Sequence, residues 1–138
     1  MAKNVMDLFD YRREAYPTDE SFDAYNVKVV ISDSLTPEET APWHNTRIIR
    51  RADAHEQIAP LKRQTGKDIL VFGSRTLWND LLVNDLIDEL HLMISPVIVS
   101  AGTPLFAGKP PVSPRLIDTR TWEGSGIVLV RYNVRRKT

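Results

Sequence analysis

Cysteine is absent from this 138-residue chain. Its absence excludes disulfides, thiolate metal sites and cysteine nucleophiles, and it fits a reducing, cytoplasmic setting. An excess of charge is absent too: eighteen Lys and Arg offset eighteen Asp and Glu, so no overall field draws the chain to nucleic acid or to an anionic membrane. No apolar run approaches the roughly 20 residues that a membrane helix needs. The opening MAKNVMDLFDYRRE lacks the long apolar core, followed by small residues, of a secretory signal. The three histidines have no ligand spacing, so no metal is expected.

What is present is the composition of a soluble globular protein, 42% hydrophobic and 26% charged. The length predicts one domain over residues 1–138, with 1–26 a poorly defined N-terminal segment. From Val27 the pattern sharpens. Val27, Val29, Val30 and Ile31 make a β-branched run that ends at Ser32-Asp33-Ser34 and Pro37, and a second short strand fits Thr46 to Arg50. Asp53 and Glu56 have the spacing of a capping box. The helix they open meets Pro60, which predicts either a kink or a start near Ala59.

Residues 68–72 read as a strand apolar on both faces, as a central strand should be. A helix from about Ser74 to Val83 follows, with Leu77, Trp78, Leu81 and Leu82 on one face. Asp88 to Val99 reads as a strand bent at Pro96, and Gly102, Pro104, Pro110, Pro111 and Pro114 punctuate a loop. Two alternating runs flank Gly124-Ser125-Gly126, a hairpin signal. Strand, helix, strand, helix, strand predicts a mixed, mainly parallel α/β sheet flanked by helices, with an antiparallel hairpin at one edge.

The sharp turn at Gly73-Ser74 is the candidate site. In such sheets ligands sit beyond the carboxyl ends of strands, where helix amides and the positive end of a helix dipole suit a phosphate. Gly73 permits close approach, Ser74 and Thr76 offer hydroxyls, and Arg75 offers a charge. The same Gly-Ser also serves simply as a helix cap, and the pattern leaves both readings open.

KDILVFGSRTLWNDLL followed by LIDELHLMISPVIVSAGTPLF resembles the C-terminal half of the dihydrofolate-reductase-like family. That family includes the reductase domain of riboflavin biosynthesis and small stand-alone bacterial reductases. The likeness begins at VKVVISDSLT and runs to Arg136. It implies an NADPH-dependent reductase of a small heterocyclic or carbonyl substrate, related to the phosphoribosyl-aminouracil reductase of riboflavin biosynthesis. It also implies that Gly73, Ser74, Arg75, Thr76 and Leu77 cradle the cofactor pyrophosphate. By the same resemblance, Ser32 and Ser34 meet the adenosine ribose and its 2′-phosphate, with Arg50 and Arg51 supplying charge.

Two departures qualify the resemblance. Phe72 stands at the substrate position where the riboflavin-pathway enzymes carry Glu, and an apolar ring cannot accept a carboxylate's hydrogen bonds. The family's opening strand, with its acid, and an internal piece reading like Leu-Leu-Gly-Arg-x-Thr are not found, so no catalytic residue is assigned. A second reading is therefore a non-catalytic module that binds cofactor or dimerises through exposed strand edges; a homodimer is expected on either reading.

Overall fold

A computed structural model describes residues 27–42, 45–71 and 74–136. The expectations placed on residues 1–26, Phe72 and Gly73 lie outside the described residues. The chain divides into two compact units, Met1–Leu61 and Lys62–Thr138.

In the first unit, β1 (Lys28–Ile31) pairs in parallel with β2 (Thr46–Ile49), Lys28 opposite Thr46 and Ile31 opposite Ile49. The β-branched runs seen in the sequence are these strands. The connection carries α1 (Pro37–Thr40), a single turn. The Glu39 carboxylate fixes its start by accepting from Thr36 N at 2.8 Å and from Thr36 Oγ1 at 3.0 Å. The capping expected at Asp53 is absent, because the Asp53 N–H donates to Arg50 O at 3.0 Å and closes a 3-10 turn over Arg51–Asp53. The helix α2 then runs from Ala54 to Arg63 with Pro60 inside it, so it does not begin at Ala59. Ile49 and Ala54 are buried.

In the second unit, α3 (Arg75–Val83) is the predicted helix, one residue shorter because Ser74 is its cap. Its carboxyl end closes on Asp85, which adopts the left-handed conformation at φ 58°. Leu86 N donates to Leu81 O at 2.8 Å and Asp85 N to Leu82 O at 3.2 Å, the paired bonds of a Schellman ending. Three strands follow in the spatial order β3 (Glu89–Ile94), β5 (Val128–Asn133), β4 (Arg115–Thr121), all antiparallel. The predicted hairpin is β4–β5. At its turn Gly124 and Gly126 both have positive φ, and a Cβ on Gly126 would come within 2.9 Å of Pro96 Cγ. Glycine is required there on both counts.

Two expectations are corrected. The sheet is not mainly parallel: among the described residues only β1 and β2 run parallel, while β3 joins the hairpin with opposite direction. Residues 68–71 form no strand. Ile69 and Leu70 lie exposed, since apolar, β-branched sequence supplies propensity but not the neighbouring strand that pairing needs. The strand read over 88–99 likewise stops at Ile94, just before Ser95-Pro96. No helix among the described residues is long and apolar enough to cross a membrane.

Alternation divides the three-stranded sheet. Leu90, Leu92 and Ile94 share a face with Tyr132, Val130 and Val128, whereas His91 lies opposite Arg131, which lies beside Asp118. Arg131 holds Asp118 through Nε at 2.6 Å and Nη2 at 2.5 Å. That hydrogen bonding keeps the Asp118 carboxyl below, and the guanidinium above, its ordinary range. At the amino end of β3, Asp88 accepts from Lys62 Nζ at 2.8 Å and from Arg135 Nε at 2.9 Å. Partial burial alone would raise the Asp88 pKa; the bonds and charges of Lys62 and Arg135 outweigh it and hold it below the usual value.

Two outcomes test this packing. Leu82, 1% exposed, should cost about 2–5 kcal/mol as Leu82→Ala in urea unfolding. Because the folded pKa of Asp88 is depressed, its stabilisation is complete above the unfolded value of about 3.9 and drains away as pH falls below it. Asp88→Asn should therefore lower the melting temperature at pH 6 and leave a smaller loss of stability between pH 6 and pH 3 than the unaltered chain shows. Parallel pH profiles would contradict the assignment.

Candidate functional site

The turn singled out by sequence sits at the amino end of α3. Ser74 is extended, with φ −80° and ψ 167°, and its Oγ accepts from Leu77 N at 3.4 Å. Its carbonyl accepts the first helical bond, from Trp78 N at 3.1 Å. The amides of Arg75 and Thr76 have no partner among the described residues. Two N–H groups without a partner among the described residues thus stand at the positive end of a nine-residue helix, which suits one oxyanion. Ser74 and Thr76 are exposed beside them, whereas Leu77 turns partly inward. Phe72 and Gly73, named for the substrate and the cofactor, lie outside the described residues.

The Arg75 side chain does something the sequence did not announce. Its guanidinium donates to Pro104 O at 2.5 Å and to Phe106 O at 3.1 Å, so it holds a loop rather than projecting free toward an anion. One turn on, Asn79 is buried and fully used. Its Nδ2 donates to Arg75 O at 2.9 Å and Leu105 O at 3.1 Å, and its Oδ1 accepts from Ala107 N at 2.8 Å. Trp78 meets Phe106 edge to face, with ring centroids 5.8 Å apart. The loop of residues 104–107 is therefore clamped along the amino-terminal half of α3, next to the free amides. Sequence reading passed over Asn79 because a lone Asn in a helix signals nothing until its partners, some 26 to 28 residues away, are known.

The other sequence-predicted group belongs to the first unit, and there it is brought together. Ser32 Oγ accepts from Leu35 N at 3.0 Å and Ser34 N at 3.3 Å, making a side-chain-closed turn after β1. Arg50, just past β2, donates to Ser32 O at 2.8 Å and Leu35 O at 3.2 Å. Its guanidinium thereby sets the turn. Arg51 is different: its backbone N–H goes to Asp33 Oδ1 at 2.9 Å, while its side chain is 73% exposed and its Nε stands 3.8 Å from Asp33 Oδ2. Arg50 is engaged by the turn through Nη1 alone, so both guanidiniums keep donors for a ligand; that of Arg51 has no carbonyl partner among the described residues and only Asp33 nearby.

Comparison with known proteins adds the following. The family model of the RibD C-terminal domain matches residues 9–130. The chain is 35% identical over 79 residues to the uncharacterized protein YyaP of Bacillus subtilis (strain 168), covering 56% of this chain and 42% of that protein. It is 40% identical over 48 residues to YwjB of the same organism, also uncharacterized, covering 35% of this chain and 28% of YwjB. The chain thus spans less than half the length of these curated relatives. Among solved structures it is similar to a Shewanella sp. PV-4 protein provisionally named for riboflavin biosynthesis, with a TM-score of 0.63 and 22% identity over 90% of this chain and 71% of that one. It is also similar to a pyrimidine reductase-like protein of Corynebacterium diphtheriae, with a TM-score of 0.55 and 18% identity over 79% of this chain and 50% of that one. At those identities the likeness is one of fold.

The loop clamp carries its own test. Asn79→Ala leaves Ala107 N and two carbonyls without their partner and should cost about 1–3 kcal/mol. Amide exchange at Ala107 should accelerate, while Leu86, bonded at the far end of α3, keeps its protection relative to global unfolding. Unchanged exchange at Ala107 would show that the clamp does not hold the loop.

Proposed function

The chain belongs to the RibD C-terminal domain family, and from that premise we propose that it is an NADPH-dependent reductase acting on a small heterocyclic or carbonyl substrate. The observation that carries the reading is the pair of free amides at Arg75 and Thr76, which matches the place where the family resemblance puts the cofactor diphosphate. Ser74 and Thr76 add hydroxyls to this cradle, and the 104–107 clamp keeps the helix end and its neighbouring loop in one arrangement. When bound, the reduced nicotinamide supplies the hydride; the chain's share is to hold and orient it.

The second half of the reading assigns the adenosine ribose and its 2′-phosphate to the turn of Ser32, Ser34 and Arg51 in the first unit. Arg50 supports the turn through backbone carbonyls. Asp33 stands near Arg51, so a 2′-phosphate must compete with a carboxylate for that guanidinium, and the preference for NADPH over NADH is expected to be modest. The Phe72 position, apolar where a carboxylate would accept hydrogen bonds, favours a substrate other than a phosphoribosyl-aminouracil.

A homodimer or partner-binding role is the second reading. What favours it is apolar surface: Ile69, Leu70, Val97, Ile98 and Val99 are all more than half exposed, Ile98 completely. Such surface is characteristically covered in solution.

Titrating NADPH against tryptophan fluorescence tests the first reading. Thr76→Pro removes one of the two free N–H groups at a first-turn position that tolerates proline, and should weaken NADPH at least tenfold without lowering helix content. Arg51→Ala should weaken NADPH more than NADH, whereas Arg50→Ala should weaken both by loosening the turn. If the unaltered chain binds neither dinucleotide, the reductase reading fails. Equal losses for the two cofactors on Arg51→Ala would remove the 2′-phosphate assignment alone.

A further inference from the structure

At the opposite end of α3 from the free amides lies a cleft of about 440 Å³ walled by Pro111, Val112, Ser113 and Pro114 on one side and by Arg115, Arg135 and Arg136 on the other. Three guanidinium-bearing residues and no acid line it. Arg135 and Arg136, although close to the end of the chain, are both anchored. Arg135 Nε donates to Asp88 Oδ1 at 2.9 Å. The backbone N–H of Arg136 reaches Asp85 Oδ1 at 3.3 Å, and its Nη2 donates to Val83 O. Across the β4–β5 ladder, Arg115 Nη2 donates to Asn133 Oδ1 at 3.0 Å and Arg135 O at 3.5 Å.

The manner of anchoring is what matters. Each guanidinium is held through a single nitrogen, and its remaining N–H donors have no partner among the described residues. Arg131 shows the contrast on the same sheet, with two nitrogens spent on Asp118 and a third near Glu89. Two carboxylates adjoin these arginines: Asp88, which is shared between Arg135 and Lys62, and Asp85 on the Arg136 amide. Against three arginines and Lys62 they leave a surplus of positive charge. The opposing wall is stiffened by its two prolines and by the Val112 N to Pro110 O bond of 2.9 Å, and Val112 is half-buried.

We propose that this cleft binds the phosphate end of a small organic phosphate, with the arginines on the oxyanion and the Pro111–Val112–Pro114 wall against the organic body. Guanidiniums already fixed through one edge present their other donors at little entropic cost, as oxyanion recognition favours. The site is distinct from the cofactor cradle. The helix between them has nine residues, so about 13 Å of helix separates them. It does not depend on the reductase reading.

The test is amide chemical-shift mapping on the full 15N-labelled chain at constant ionic strength, with phenyl phosphate and inorganic phosphate as probes. Saturable shifts should centre on Val112, Ser113, Arg115, Arg135 and Arg136, with phenyl phosphate binding at least threefold more tightly than inorganic phosphate. Arg115→Glu should weaken phenyl phosphate at least tenfold, while Lys67→Glu, which makes the same change of charge at an exposed residue away from the cleft, should stay within twofold. Shifts that never saturate, shifts centred on Ser74–Leu77, or equal losses in the two variants would overturn the site. A preference for inorganic phosphate would overturn the role of the apolar wall.

Discussion

A carboxamide that is 4% exposed must find a partner for its oxygen and for both amide hydrogens, and Asn79 does so across the turn before it and the loop of residues 105–107. Left unmade, such bonds would cost the desolvation of each group, so the loop and the helix are held to one arrangement. Arg75, through Pro104 O and Phe106 O, and the Trp78–Phe106 contact act on the same loop. The candidate site inherits its geometry from this requirement, because the free amides of Arg75 and Thr76 sit on the very turn whose side chains hold the loop. Rigid support of that kind lets backbone donors keep their aim without help from the ligand.

Arginine illustrates how residue type alone underdetermines chemistry. Arg50 closes a turn through two carbonyls, Arg75 clamps a loop through two more, and Arg131 is spent on a carboxylate. Arg51 and Arg115 keep donors to spare. The planar fork of the guanidinium suits all of these tasks equally. Which one applies is decided by the carbonyls or carboxylates within reach, and those come from residues distant in sequence. A net charge of zero conceals this local inequality.

The parts of the fold legible in sequence are those set by near neighbours. β1, β2, α3 and the β4–β5 hairpin follow from β-branched runs, a 3.6-residue apolar stripe with a Ser cap, and a Gly-Ser-Gly turn. What failed depends on partners. Residues 68–71 have the composition of a central strand and no strand paired with them among the described residues, and β3 ended before Pro96 where a bend was expected. In the site, Ser74 was legible as a cap and the amides behind it as a donor pair. The diversion of Arg75, the structural role of Arg50 and the whole contribution of Asn79 were not, since each rests on a bond to backbone that sequence leaves unplaced.

The two ends of α3 are treated unequally, and that inequality organises the charge around them. At the carboxyl end the orphan carbonyls are answered by the Schellman bonds and by Arg136 on Val83 O, and Lys62 donates to Leu86 O at 3.1 Å. The negative pole is thereby quenched, which leaves Arg115 and Arg135 facing their cleft without a competing helix dipole. At the amino end, of the Arg75, Thr76 and Leu77 amides, only that of Leu77 is answered among the described residues, by Ser74, and the bond is long at 3.4 Å. A helix that satisfies one terminus from within and leaves the other open directs any anion it meets to the open one. The carboxyl end can attract an anion only through side chains added around it. Backbone donors are therefore what the first candidate site offers an anion and arginines what the second offers, and a substitution that abolishes one should leave the other intact.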